Sequence, residues 1–221
     1  SHKSALKIFR EQVPIKPDNS DVGGVTYRKI LFNEDLELWI LEGRDHRSPN
    51  SQQDGPLKTI LGFKQREWLF KSLKESDARF KVIVSATPIF GPARAASNDN
   101  HATSDGFQFE GKLIQNFLKD NFEPDEVIVI GADTHWLSHV ENKFGFHEFL
   151  VGSVGELIVR PERGSDRLSP PPIDNIDHYL DKQNLGFLKL NNYRNGAEAK
   201  LEIQLINAFG TPLYNYVIGY D

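Results

Sequence analysis

Two short apolar runs constrain the fold most: Val82-Ile83-Val84 inside Phe80–Ala86, and Val127-Ile128-Val129-Ile130. Runs of this length without alternation suit strands buried on both faces. Between them Phe109, Leu113, Phe117 and Leu118 recur at helical spacing, and before them Trp68, Leu69 and Leu73 do the same within residues 64–75. Helix, strand, helix, strand requires crossover connections. Val82–Ser85 and Val127–Ile130 are therefore expected as adjacent, buried, parallel strands.

The rest of the chain is read around that unit. Residues 4–10 suit one or two helical turns, ended by Pro14 and Pro17. Residues 25–33 and 36–42 read as a strand pair around Asn33-Glu34-Asp35. Long loops are expected over residues 43–59 and 87–106. After residue 137 short strands are expected near 146–151, 185–190, 199–206 and 213–219, with turns at Asn195-Gly196 and Phe209-Gly210. Residues 160–182, with Pro161 and Pro170 to Pro172 and no clear period, read as a surface loop or lid. The chain thus divides into an α/β part, about 25–137, and a β-rich part, 138–221, as one domain or as a portion of a larger one.

With 221 residues the chain can bury a sizeable core. A net charge of -5 argues against a non-specific nucleic-acid surface, while leaving room for a local basic pocket. The absence of Cys excludes disulfides, thiolate zinc sites and a cysteine nucleophile. No apolar run approaches the ~20 residues of a membrane helix. The chain opens Ser1-His2, with no signal peptide, as a trimmed tag would leave it.

Three constellations can carry chemistry. Gly131-Ala132-Asp133-Thr134-His135-Trp136 follows the second apolar run, where open α/β sheets place ligands. In an extended segment Asp133 and His135 point to one side. A carboxylate with an imidazole suits zinc, iron or manganese. His101, His139 and His147 are further candidate nitrogens. The alternative, an Asp capping its own turn beside a locally bonded His, is favoured on pattern alone, because two residues do not make a site. Glu42-Gly43-Arg44-Asp45-His46-Arg47 places two guanidinium groups after another buried strand, fit for an oxyanion. An Arg–Glu cluster that stabilises the loop is the alternative, and is favoured. Gly91-Pro92-Ala93-Arg94 with Asn98-Asp99-Asn100-His101 offers polar ligand types, but Asn and Asp are also turn formers, which is again favoured. Of the three tryptophans, Trp39 and Trp68 read as core and Trp136 as site lining. No phosphate-binding Gly-rich loop, G-x-S-x-G elbow or H-E-x-x-H is present.

Taken in order, Leu41-Glu42-Gly43-Arg44-Asp45-His46-Arg47-Ser48-Pro49-Asn50, Leu61-Gly62 with Gln65 and Trp68-Leu69, Phe80-Lys81-Val82-Ile83, and Asp133-Thr134-His135-Trp136 resemble the C-terminal half of the alkaline phosphatase D (PhoD-like) metallophosphoesterases, over roughly residues 25–220. The resemblance implies an α/β, calcineurin-like sandwich of two packed mixed sheets flanked by helices, this chain supplying the C-terminal half with its β-rich end. It implies a phosphatase or phosphodiesterase acting on a phosphate-ester substrate at a binuclear centre, iron with calcium or zinc/manganese, where water activated at the metals attacks phosphorus. Asp133 and His135 match the family's late Asp-x-His metal motif, His135 being catalytic as well. Arg44 matches the Arg that holds a phosphate oxygen. Ala132 stands where the family usually has Gly, and Glu42 where it often has Asp. The family's early metal motifs lie upstream of these residues, so the centre is incomplete in this chain. An upstream N-terminal portion is the expected partner, and a secreted or periplasmic setting is implied. Two other readings are a non-catalytic domain of the same fold, used for ligand binding or partner contact, and an unrelated α/β hydrolase with a coincidental Asp-x-His.

Overall fold

The computed structural model describes residues 2–13, 25–93, 97–152, 175–181 and 186–220. In chain order the elements are α1 (His2–Gln12), β1 (Arg28–Leu31), β2 (Leu36–Ile40), α2 (Gly62–Lys74), β3 (Phe80–Val84), α3 (Gln108–Asn121), β4 (Val127–Gly131), β5 (Leu137–Glu141), β6 (His147–Leu150), β7 (Ile176–Asp181), β8 (Gly186–Asn195), β9 (Glu198–Asn207) and β10 (Pro212–Tyr220). A 3₁₀ turn at Pro124–Glu126 leads into β4.

The two apolar runs are neighbours, as their crossover helix requires. β3 and β4 pair in parallel, with Val82 opposite Ile128 and Val84 opposite Ile130. They lie inside a seven-stranded sheet of order β1-β2-β3-β4-β6-β5-β7. β2, β3, β4 and β6 run parallel; β1 and β5 run against them, and the edge strand β7, antiparallel to β5, runs with them. Strand alternation gives this sheet two apolar faces. Trp39, Ile83, Val127 and Val129 pack on Leu69 and Leu73 of α2 and on Ile114 and Leu118 of α3. Leu36, Val82, Ile128 and Phe149 pack on Ala199, Leu201, Ile203 and Ile218 of a second sheet, β10-β9-β8. The layers are thus helices, large sheet, small sheet. Arg194 of β8 closes the far edge, donating from Nε and a terminal nitrogen to both oxygens of Asp35 at 2.7 Å each.

Three expectations change. The second sheet is antiparallel throughout, not mixed, because β8, β9 and β10 are joined by tight turns at Gly196 and Gly210, both at positive φ. Within residues 160–182, read as a loop or lid, Ile176–Asp181 is the edge strand β7; the rest of that stretch lies outside the described residues. β5 was not anticipated. Its Leu-Ser-His-Val-Glu sequence looks only half apolar, yet Ser138 and His139 are fully buried.

Candidate active site

Parallel strands share a direction, so β2, β3 and β4 end at the same edge of the sheet. Three connections leave that edge: Leu41 to Leu61 after β2, Ser85 to Phe107 after β3, and Ala132 to Trp136 after β4. These carry the three constellations read from the sequence.

Buried hydrogen bonds fix each connection. Gln65 of α2 accepts from the Glu42 amide at 2.7 Å and donates to the Glu42 carbonyl at 2.8 Å. The Glu42 carboxylate then accepts the amides of Arg44 (2.9 Å) and Asp45 (2.5 Å), which turns the chain. Glu42 is a backbone clamp, and the expected Arg–Glu pairing is not what its oxygens do. Lys58 is buried and donates from Nζ to the carbonyls of Asn50 (3.1 Å) and Gly106 (2.8 Å), joining the first connection to the second. Glu110 of α3, fully buried, takes hydrogen bonds from the Thr59 hydroxyl, the Ile60 amide (2.6 Å) and Arg66 (2.9 Å), and meets His101 Nε2 at 3.0 Å. Burial alone would push its carboxyl up; these donors and the His101 charge outweigh that and hold it at about 2. Glu148 of β6 accepts the amides of Ile89, Phe90 and Gly91 at 2.7–2.8 Å. Complete burial raises its carboxyl to about 7, with the three amides opposing the rise.

On this scaffold the charged side chains gather in like pairs. Burial raises the Asp133 carboxyl, and the charge of Asp99 raises it further, while Arg44, His135 and Arg47 act on it in the opposite sense. Burial lowers Arg47, and Arg44 beside it lowers it further, against Asp99 and Asp133. Arg44, Arg47, Asp99 and His135 are thus within electrostatic reach of Asp133. Arg47 is held by Asn50 Oδ1, at 3.0 Å from Nε and 2.7 Å from a terminal nitrogen, and stacks over Phe107 at 5.0 Å. Asn50 donates in turn to Asn98, and the Ser97 hydroxyl donates to Asp99.

The turn after β4 is not extended. Asp133 has φ 70° and His135 φ 59°, the two non-glycine residues at positive φ among those described. The alternation argument for their shared side therefore does not apply; two left-handed residues present them instead. Such backbone costs of order 1–3 kcal/mol for each residue and is found where function holds it. Asp133 with His135 offers a carboxylate and an imidazole, donor types that suit manganese, iron or zinc; among the described residues the group of three such donors close enough to share an ion lies elsewhere.

The PhoD-like phosphatase family model matches residues 1–201. The chain belongs to this family. Alkaline phosphatase D of Bacillus subtilis (strain 168) is 26% identical over 195 residues, covering 74% of this chain and 31% of the relative. A solved structure of PhoD superposes with TM-score 0.69 at 17% identity, over 97% of this chain and 45% of that one. A dimetal phosphatase from Danio rerio superposes with TM-score 0.59 at 12% identity, over 98% and 68%. This PhoD-like chain spans about a third of the curated relative and under half of the solved PhoD.

Among the sequence candidates, Arg44 and Arg47 of the Gly43–Asn50 loop act electrostatically on Asp133 of the Gly131–Trp136 turn. His101 does not join them: it is bound to Glu110. His139 and His147 face Tyr214 and Tyr216 of the small sheet instead. Asn100 is the turn former its type suggests, its Oδ1 accepting the amides of Ala102 and Thr103. Arg94 lies outside the described residues. Trp136 is buried, its indole N–H without a hydrogen-bond partner among the described residues. Asp99 was passed over as a turn former; its position after a parallel strand was the available signal. Among the described residues no helix is long and apolar enough to cross a membrane.

Proposed function

We propose that this PhoD-like segment forms the phosphate-binding and late metal-ligating part of a metal-dependent phosphatase or phosphodiesterase. Asp133 and His135 hold a metal ion, and Arg44 holds a phosphate oxygen of the ester. The observation that carries this reading is the pairing of like charges at one sheet edge. The Asp99 charge disfavours the ionised form of Asp133, as a cation would relieve; the Arg44 charge disfavours that of Arg47, as an oxyanion would relieve. Bound metals, iron with calcium or zinc/manganese, would act as Lewis acids and activate a water.

The chain's own residues do the remaining work. Arg44, whose amide is fixed by Glu42, orients the phosphate oxygen and neutralises charge that grows as the ester bond breaks. Arg47, braced by Asn50, adds a second fixed cation. A cavity of about 420 Å³ beside Arg44, lined in part by Ala5, Leu6, Phe9 and Leu41, gives the organic part of the ester an apolar seat. The further ligands of a binuclear centre come from an upstream portion of the full-length enzyme, whose relatives are far longer. A secreted or periplasmic setting accords with this reading.

Steady-state hydrolysis of p-nitrophenyl phosphate and its bis-ester tests it. The isolated 221-residue segment should turn over hardly above background. The full-length protein should be metal-dependent, with His135→Ala reduced to background and Arg44→Ala reduced ~10²-fold in kcat. Full-length protein that binds phosphate without hydrolysing either ester would instead make this a non-catalytic binding domain.

A further inference from the structure

A second group of ligating side chains lies between the two sheets. His139 of β5, His147 of β6 and His178 of β7 each offer a ring nitrogen, and these atoms all lie within 4.8 Å of one another. His139 Nε2 meets His147 Nδ1 at 3.0 Å. We propose that His139, His147 and His178 form a tris-imidazole site for a zinc-type divalent cation, a metal staple separate from the Asp133–His135 site.

The arrangement around the rings supports it. A ligating histidine normally engages its other nitrogen with a carboxylate or hydroxyl that fixes its tautomer. All three rings do so. His139 Nδ1 meets the Tyr214 hydroxyl at 2.9 Å, His147 Nε2 meets the Tyr216 hydroxyl at 3.2 Å, and His178 Nε2 meets Glu141 at 2.9 Å. One nitrogen of each ring is left for a shared ion: Nε2 of His139, Nδ1 of His147 and Nδ1 of His178. The proton now shared between His139 and His147 need not leave the protein. It can move to the outer nitrogen of the same ring, facing a tyrosine hydroxyl that turns from donor to acceptor.

The environment favours the ligating form. Burial and the neighbouring imidazoles hold His139 at about 2, and burial lowers His147, with Glu141 and Asp125 opposing. Both are neutral imidazoles at neutral pH, as metal binding requires. An imidazole-only set selects zinc, copper or nickel over calcium or magnesium. The third ligand is the adjustable one. His178 stacks on His139 at 4.6 Å, is 30% exposed, and sits on the edge strand, so it can tilt toward the ion and admit it from solvent. Because Tyr214 and Tyr216 belong to β10, the ion would tie the small sheet to the large one.

Zinc titration of the chelator-treated full-length Asp133→Ala/His135→Ala variant, compared with the same variant carrying His178→Ala, reports this site by difference. One equivalent should bind, raise Tm, and with cobalt(II) substituted give the visible absorption of a nitrogen-ligated, low-coordinate ion. Glu141→Gln should weaken zinc binding ~10–100-fold. His178→Ala, at an exposed edge position, should leave the protein folded and abolish both the tight equivalent and the zinc-dependent rise in Tm; His178→Gln, which keeps more of the side-chain volume, should do the same. Overturning results are no tight equivalent in the double variant, or undiminished affinity in folded His178→Ala or His178→Gln protein.

Discussion

Asp133 and His135 hold backbone conformations that glycine adopts at no steric cost. Selection for stability alone would not put a β-carbon at either position. The expected outcome at His135 separates backbone from side chain: His135→Gly should be more stable than His135→Ala by about 1 kcal/mol, measured by denaturant unfolding, while both lose metal binding equally. At this scale the sequence was informative about residue type and poor about geometry. The Asp-x-His pair was legible because it ends an apolar strand. How it is presented was not, because two left-handed residues, Asp133 and His135 on either side of Thr134, override the alternation of an extended segment. Asp99 was hidden by its own chemistry, since Asp in a loop is ordinarily a turn former, and only the fold brings its charge within reach of Asp133.

The elements hold the site through buried carboxylates reaching from one secondary structure to the next connection. Glu110, reaching from α3 to Thr59, Ile60, Arg66 and His101, is the strongest case. Its carboxyl sits at about 2 in the folded protein against 4.5 ordinarily. The folded state thus binds its proton less readily than the unfolded chain. The resulting stability is present above about pH 4.5 and is lost as pH falls toward 2. From that shift it is of order 3 kcal/mol. Glu110→Gln should lower stability at pH 7 by that order and flatten the acid limb of an unfolding-versus-pH series between those values. An unchanged acid limb would assign acid sensitivity to other groups. Gly131 tests the opposite kind of constraint, the close approach of β4 to its neighbours. A β-carbon there would meet Leu150 Cδ2 at 2.6 Å and Glu148 Oε1 at 3.2 Å. Gly131→Ala should cost about 1–3 kcal/mol by urea unfolding, because side chains in a packed interior cannot all give way. Helices α2 and α3 and strands β3 and β4 were legible from periodicity; β5 and β7 were not, since their polar residues are buried in a histidine and tyrosine cluster or lie at an edge.

At the scale of the molecule, parallel strands β2, β3 and β4 deliver three loops to one edge, and the helices and small sheet bury the two faces behind them. That architecture belongs with the chain's membership of the PhoD-like phosphatases and with its likeness to the solved PhoD fold. The central claim is that Arg44 and Asp133 serve one site, the first for phosphate and the second for metal. The most direct measurement is the affinity of the full-length protein for inorganic phosphate, by calorimetry with manganese(II) present, in Arg44→Ala, Asp133→Ala and the double variant. A shared site predicts that each single change weakens phosphate binding and that the double loses less than the sum, by 1 kcal/mol or more, on the order of contacting residues. Losses that add within about 0.5 kcal/mol would mean two independent sites and would contradict the account.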